Sequence, residues 1–159
     1  MDEFHVDRQA ALARAVARGN LEYINRRLDQ GARINRQSGR GGSTPLSDAA
    51  LRGNLDVVKL LIKRGARVNA TNRDGNTPLH VATFMCRKEV VEFLLEKGAN
   101  PLTKNNRQET SIDVVSGEWS KGLGDFYSGI GRSIGQKVDL ERIQKERPEL
   151  KAFLEEKVK

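Results

Sequence analysis

The chain has 159 residues, of which 37% are hydrophobic and 5% aromatic, and 28 Lys and Arg stand against 21 Asp and Glu for a formal charge of +7. The length suits one domain, and the apolar content is lean for a single globular core but sufficient where stacked units bury only their contacts with neighbours. Cys86 is the single cysteine, which excludes an intrachain disulfide and fits a reducing compartment. The first residues lack the apolar core of a signal peptide, and no stretch approaches the ~20 apolar residues of a spanning helix, so a cytoplasmic location is expected.

Residues 2 to 18 begin with Asp2 and Glu3 and continue with Ala10, Ala11, Leu12, Ala15 and Val16 on helical spacing. The acidic start complements the dipole of a helix N-terminus. Leu12 aligns with Leu46, and Gly19-Asn20 with Gly53-Asn54, so Ala10 to Arg18 is the first helix of a unit that recurs. Leu21 to Gln30 is its second helix. There Arg26 and Arg27 stand where the next unit has Leu60 and Leu61, which predicts a wet outer face of the kind a terminal repeat needs. A basic end-face for a partner is the other reading of the same residues.

The loop over residues 31 to 43, GARINRQSGRGGS, runs nine steps from Asn35 to Thr44, where the next loop runs eight from Asn69 to Thr77. Gly39, Gly41 and Gly42 are the residues able to absorb the extra step. A phosphate-binding loop is not supported, because no Lys precedes Ser43 or Thr44 and no strand leads in. The second unit opens on Thr44 as N-cap and Pro45 as first helical residue. Leu46, Ala49 and Ala50 make a short first helix, Gly53-Asn54 a turn, and Val57, Val58, Leu60, Leu61 and Ile62 a second helix ended by Gly65.

The third unit repeats this order from Thr77-Pro78-Leu79-His80, with Val90, Val91, Phe93, Leu94 and Leu95 in its second helix. The stretch GARVNATNRDGNTPLHVATFMCRKEVVEFLLEKG, Gly65 to Gly98, is its most complete copy. A period of 33 to 34 residues carrying N-x-x-D-G-N-T-P-L-H-x-A and x-V-V-x-F-L-L-x-x-G-A resembles the ankyrin repeat, over roughly Ala10 to Val115. The resemblance implies an all-α solenoid of stacked helix-turn-helix units with β-hairpin-like loops. It also implies that His80 ties loop to helix by hydrogen bonds. Cys86 takes the place of Gly53, and Arg87 the place of a histidine common in the family, changes expected to tune a turn.

A fourth unit starts at Thr110 but has Ser111, Ile112 and Asp113 where Pro, Leu and His stood, and its second helix never comes. From Gly117 the chain departs from the repeat. Trp119, Leu123, Tyr127, Ile130 and Ile134 follow helical spacing, with Phe126 alongside, as a core-facing stripe. Gly124, Ser128, Gly131 and Gly135 follow on an adjacent stripe and predict either close packing or a broken helix. Asp139 is placed to cap a further helix, and Pro148 to interrupt it or restart a last one bearing Leu150, Phe153, Leu154 and Val158. The expected organisation is therefore repeats over 1–116, divided near 10–43, 44–76, 77–109 and a partial 110–116. A helical capping extension, 117–159, is expected to pack on the last repeat. A docking or self-association surface is the alternative for that tail.

Catalysis is not expected. The two histidines are His5 and His80, no catalytic motif is present, no metal-spaced cluster occurs, and no cofactor site is recognisable. The resemblance instead implies a protein-interaction module whose partners touch the loop tips and the concave face lined by the first helices. By position the tips carry Arg40, Gly41 and Ser43, then Arg73, Asp74 and Asn76, then Asn106, Arg107 and Glu109. The concave helix ends carry Leu51 and Arg52, then Phe84 and Met85, an adjacent large apolar pair that is the expected anchor unless one of the two packs into the core. Arg40, Arg73 and Arg107 recur in register, with Arg33, Arg36, Arg67 and Lys104 nearby, and predict a partner protein with an acidic segment. The competing readings are a polyanion binder acting through those arginines and a structural or self-associating protein acting through the tail. Nucleic acid is disfavoured because no stacking aromatics interleave with the basic tips. No small-molecule substrate and no membrane span are expected, and a monomer is favoured.

Overall fold

The computed structural model describes residues 3–159, with side chains from Arg8 onward. The acidic pair Asp2 and Glu3 and the histidine His5 therefore fall outside the described side chains. Helix α1 (Glu3–Arg18) is followed by α2 (Leu21–Asp29), α3 (Pro45–Arg52), α4 (Leu55–Lys63), α5 (Pro78–Phe84), α6 (Lys88–Glu96), a single 3₁₀ turn at Asp113–Val115, α7 (Lys121–Ile134) and α8 (Leu140–Lys157). No strand occurs among the described residues, and the architecture is an all-α solenoid.

The local chemistry sets each start and stop. The Thr44 and Thr77 hydroxyls accept from the backbone N–H of Ser47 and His80 at the N-termini of α3 and α5, with Pro45 and Pro78 in the first turn. Asn20 and Asn54 cap α2 and α4 through their side-chain oxygens. The turn between each helix pair passes through a left-handed residue, Gly19, Gly53 and then Cys86, the last at φ 52°. That conformation is unusual for a residue with a side chain. Cys86 is buried at 2% exposure, so its thiol occupies core space that a glycine would leave empty.

The first helices α1, α3 and α5 stack in one row and the second helices α2, α4 and α6 in another. Leu12, Leu46 and Leu79 recur in the first row, and Ala15, Ala49, Ala50 and Ala82 keep its helices close. Val57, Val58, Leu61, Val90, Val91 and Leu94 fill the space between rows, all essentially without solvent contact. At the first end Arg27 lies over the Tyr23 ring, 4.3 Å from its centroid, and Arg26 is solvent-facing beside Glu22. Arginine here covers apolar surface with its stem while wetting the end of the stack.

The loops stack by hydrogen bonds at repeat spacing. Asn35 accepts from the Arg67 N–H at 2.8 Å and Asn69 from the Asn100 N–H at 3.0 Å. Gln9, on α1, bonds Arg33 in both directions and so does for the first loop what an asparagine does for the others. At the tips the Arg73 N–H donates to the Gly41 carbonyl and the Asn106 N–H to the Asp74 carbonyl. The longer first loop closes through the bridge between Ser38 and Ser43, with Gly39 and Gly42 at positive φ.

The fourth unit is reduced to one 3₁₀ turn. Asp113 nonetheless holds Thr110 as His80 holds Thr77, accepting from its N–H at 2.8 Å and its hydroxyl at 2.7 Å. The chain then folds back. Helix α7 is unbroken despite its glycines. An added Cβ at Gly131 would stand 2.6 Å from the Gln136 carbonyl, so the close-packing explanation of the glycine stripe is the correct one there. Asp139 caps α8, but Pro148 neither interrupts nor restarts it: α8 runs continuously from Leu140 to Lys157. Pro148 and Gln144, whose carbonyl loses its N–H partner, are both exposed, so water can take the missing place.

Candidate partner-binding groove

The expected anchor pair divides. Helix α5 ends at Phe84 and Met85 is its C-cap. Successive helical residues point about 100° apart, so both cannot face the concave side. Met85 is buried at 1% exposure and offers nothing to a partner, which corrects the expectation for that residue. Phe84 faces the concave side, but it is already covered in part by the chain's own α7. Its ring stacks on Tyr127 with centroids 4.4 Å apart, and Trp119 also stacks on Tyr127, at 5.8 Å.

Tyr127 is the pivot of this contact. It has no solvent exposure, its hydroxyl donates to the Phe84 carbonyl at 2.6 Å, and it accepts from Arg147 at 2.8 Å. Burial pushes the phenol up to about 12. Arg147, 5% exposed on α8, also donates to the carbonyls of Val114 and Gly117, tying α8 to the truncated fourth unit.

The remaining concave-end residues are engaged by the same fold-back. Arg52 donates to the Ile134 carbonyl at 2.9 Å while paired with Asp48, and Gln136 donates to the Arg52 carbonyl at 3.3 Å. Arg87 reaches the Leu51 carbonyl at 3.2 Å and the Gln136 side chain at 2.8 Å. This explains why α6 has no side-chain cap where α2 and α4 have asparagine: the residue at that position holds the tail instead. Cys86 sits beneath α8, 2% exposed, where it packs into the core and burial pushes its thiol up to about 11.

What the fold-back leaves open is a groove of about 630 Å³ between the loop tips and α7. Leu51, Val81 and Phe84 form its floor, and Leu123, Phe126 and Ile130 of α7 form one wall. The lining also includes Asp74, Asn76, Arg107 and Glu109 from the loop tips, Asp113 from the 3₁₀ turn and Glu118 just beyond it. Five of the residues expected at the site, Leu51, Asp74, Asn76, Phe84 and Arg107, therefore meet in one cavity. Arg40 and Arg73 lie outside it, on the exposed rim. Arg73 is held there by donating to the Arg40 carbonyl at 2.7 Å, and Gly42 packs against its stem. Arg107 stands 3.8 Å from Glu109.

His80 lines the groove as well. Its Nδ1 accepts from the Thr77 N–H at 3.1 Å, which leaves the proton on Nε2 to donate to the Glu109 carbonyl at 3.0 Å. Burial lowers its pKa, outweighing the opposing influence of Glu109. The residue thus fixes the loop that carries Arg107 and Glu109. The Asp113 carboxyl is held below its ordinary range, chiefly by the Thr110 N–H and hydroxyl, and it lines the groove as an anion.

The contribution of α7 is the part sequence reasoning did not place. Phe126 stood beside the apolar stripe of its helix, and nothing in the spacing says that this helix returns to the concave face. The geometry is that of a repeat solenoid with a groove. A family model for ankyrin repeats, in three copies, matches residues 8–105, well over half of the chain. The chain belongs to the ankyrin-repeat family, whose members are generally protein-interaction modules and typically not catalysts. A search of curated proteins returns no match. No helix among the described residues is long and apolar enough to cross a membrane.

Proposed function

We propose that this chain is a non-catalytic module that binds a partner protein in the groove between its loop tips and α7. The observation that carries the reading is the groove itself. Its lining is apolar where α3, α5 and α7 contribute and polar at the loop tips, and its parts are fixed by buried and half-buried hydrogen bonds from His80, Arg87, Tyr127 and Arg147. A site held this firmly loses little conformational freedom on binding. Phe126, 57% exposed with its ring edge-on to Phe84 at 5.9 Å, takes over the anchor role expected of Met85. Arg40 and Arg73, whose register suggested an acidic partner, stand outside the groove on the rim and are no part of this contact.

The polyanion alternative uses Arg40, Arg73 and Arg107 without the groove. It is weaker because Arg73 is already engaged by the Arg40 carbonyl and Arg107 faces Glu109. Self-association through the tail is weaker too, since Tyr127, Ile143, Leu150 and Leu154 are turned inward. The test is a photo-crosslinking residue placed at position 126 in one sample and at position 97 on the outer helix row in another, each expressed in the native cell. Partner adducts from 126 and not from 97 are expected. Equal adducts from both positions would sink the groove.

A further inference from the structure

We infer that the segment taken by this groove is a basic one: a peptide of the partner in which an apolar side chain is flanked by Lys or Arg. This rests on the groove being the partner site, as proposed above, and it reverses the charge that the arginine register suggests. The reason is where the charges lie. The chain is basic as a whole, at +7, yet the groove gathers the carboxylates of Asp74, Glu109, Asp113 and Glu118. Among the described residues, two cations line it. Arg147 is 5% exposed and committed to the Tyr127 hydroxyl and two carbonyls. Arg107 swings beside Glu109 with three-quarters of its side chain in solvent. Arg40 and Arg73, the strongest argument for an acidic partner, stand outside the cavity on the rim. With Glu109 and Arg107 offsetting each other, an acidic segment entering the groove would still meet the carboxylates of Asp74, Asp113 and Glu118, whereas a basic segment is drawn into it and kept from binding across the rest of a basic surface.

The apolar half of the occupant follows from Phe126. More than half of this ring is in water although Phe84 fixes it edge-on, and Leu123 and Ile130 flank it one helical turn to either side. Covering such a ring removes apolar area from water, and its contact with Phe84 lowers the cost of ordering it. The volume of about 630 Å³ accommodates one large side chain and its neighbours, within the ordinary size of a ligand cleft. The carboxylates of the lining then meet the residues that flank that side chain.

The experiment is selection of a random-peptide phage library on the full-length chain, followed by affinity measurement of the enriched peptides. The expected peptides carry Leu, Ile, Met or Phe with Lys or Arg within a few residues. Their affinity falls at least about tenfold, or ~1.4 kcal/mol, in Phe126→Ala and in the double variant Asp74→Asn, Glu118→Gln. It is unchanged in Arg40→Ala, Arg73→Ala. All three variants alter exposed side chains, and an unchanged thermal midpoint confirms that each is folded. Enrichment of Asp- and Glu-rich peptides that depend on Arg40 and Arg73 overturns the basic-segment inference and leaves the interaction module standing. Peptides of any charge that bind the groove variants as tightly as the wild type overturn both.

Discussion

His80 shows how one side chain can make a loop rigid and leave a signature in pH. Its folded-state pKa lies below the ordinary 6.5 because burial disfavours the imidazolium. The unfolded chain therefore takes up the proton first. Stability is full above about pH 6.5 and declines as pH falls through that value toward the lowered folded one. His80→Ala should cost about 1–3 kcal/mol at neutral pH, because the Thr77 N–H and the Glu109 carbonyl lose their partner. It should also flatten the loss of stability between neutral and mildly acidic pH, which urea titrations at two pH values would detect. Tyr127 offers a second test. Tyr127→Phe keeps the stack on Phe84 and Trp119 but removes the hydroxyl that joins the Phe84 carbonyl to a buried guanidinium. A loss of about 1–3 kcal/mol is expected in denaturant unfolding. No loss would mean that water or a neighbouring carbonyl satisfies Arg147 as well.

Among the elements, α7 carries the clearest contradiction between propensity and packing. Four of its fourteen residues are glycine, each costing a helix about 1 kcal/mol against alanine. The cost is not required equally at every position. A Cβ at Gly129 would meet only the mobile end of Arg132 at 3.8 Å, whereas at Gly131 it would strike Val138 at 2.5 Å and the Gln136 carbonyl at 2.6 Å. Gly129→Ala should therefore raise stability by up to about 1 kcal/mol. Gly131→Ala should lower it by ~1–3 kcal/mol, because backbone must move to admit it. Thermal unfolding of the pair checks the contrast, and a stabilised Gly131→Ala would show that the fold-back after α7 is loose.

At the scale of the molecule, each unit of a solenoid is supported only by its neighbours. α3 to α6 have a helix pair or the tail on both sides, α1 and α2 are flanked on one side, and α7 lies across the concave face on a small set of anchors. Native-state amide exchange should accordingly be slowest in α3 to α6. It should proceed through a lower-energy opening in α7, the glycine-rich wall of the groove. Equal protection of α5 and α7 would show instead that the tail and the repeats open as one unit.

What the sequence determined by itself was the repeat. Period, caps and turn residues are local properties, so Thr44, Thr77, Asn20, Asn54, Gly53 and Asp139 could be assigned from their near neighbours, and the row of buried Leu and Ala from the spacing. The register of Arg40, Arg73 and Arg107 was legible for the same reason, as was the position of Asp74 and Asn76 at a loop tip and of Leu51 and Phe84 at the ends of first helices. What only the tertiary structure decided was where the tail goes. Its return to the concave face depends on Tyr127 meeting Phe84, 43 residues earlier, and on Gln136 meeting Arg52, 84 residues earlier. No local period encodes such contacts. That return covers part of Phe84, brings Phe126 beside it, and leaves four carboxylates in the lining of the groove. The sign of the groove's charge is thus a property of which side chains the fold brings together, while the charge of the chain as a whole was visible in its composition.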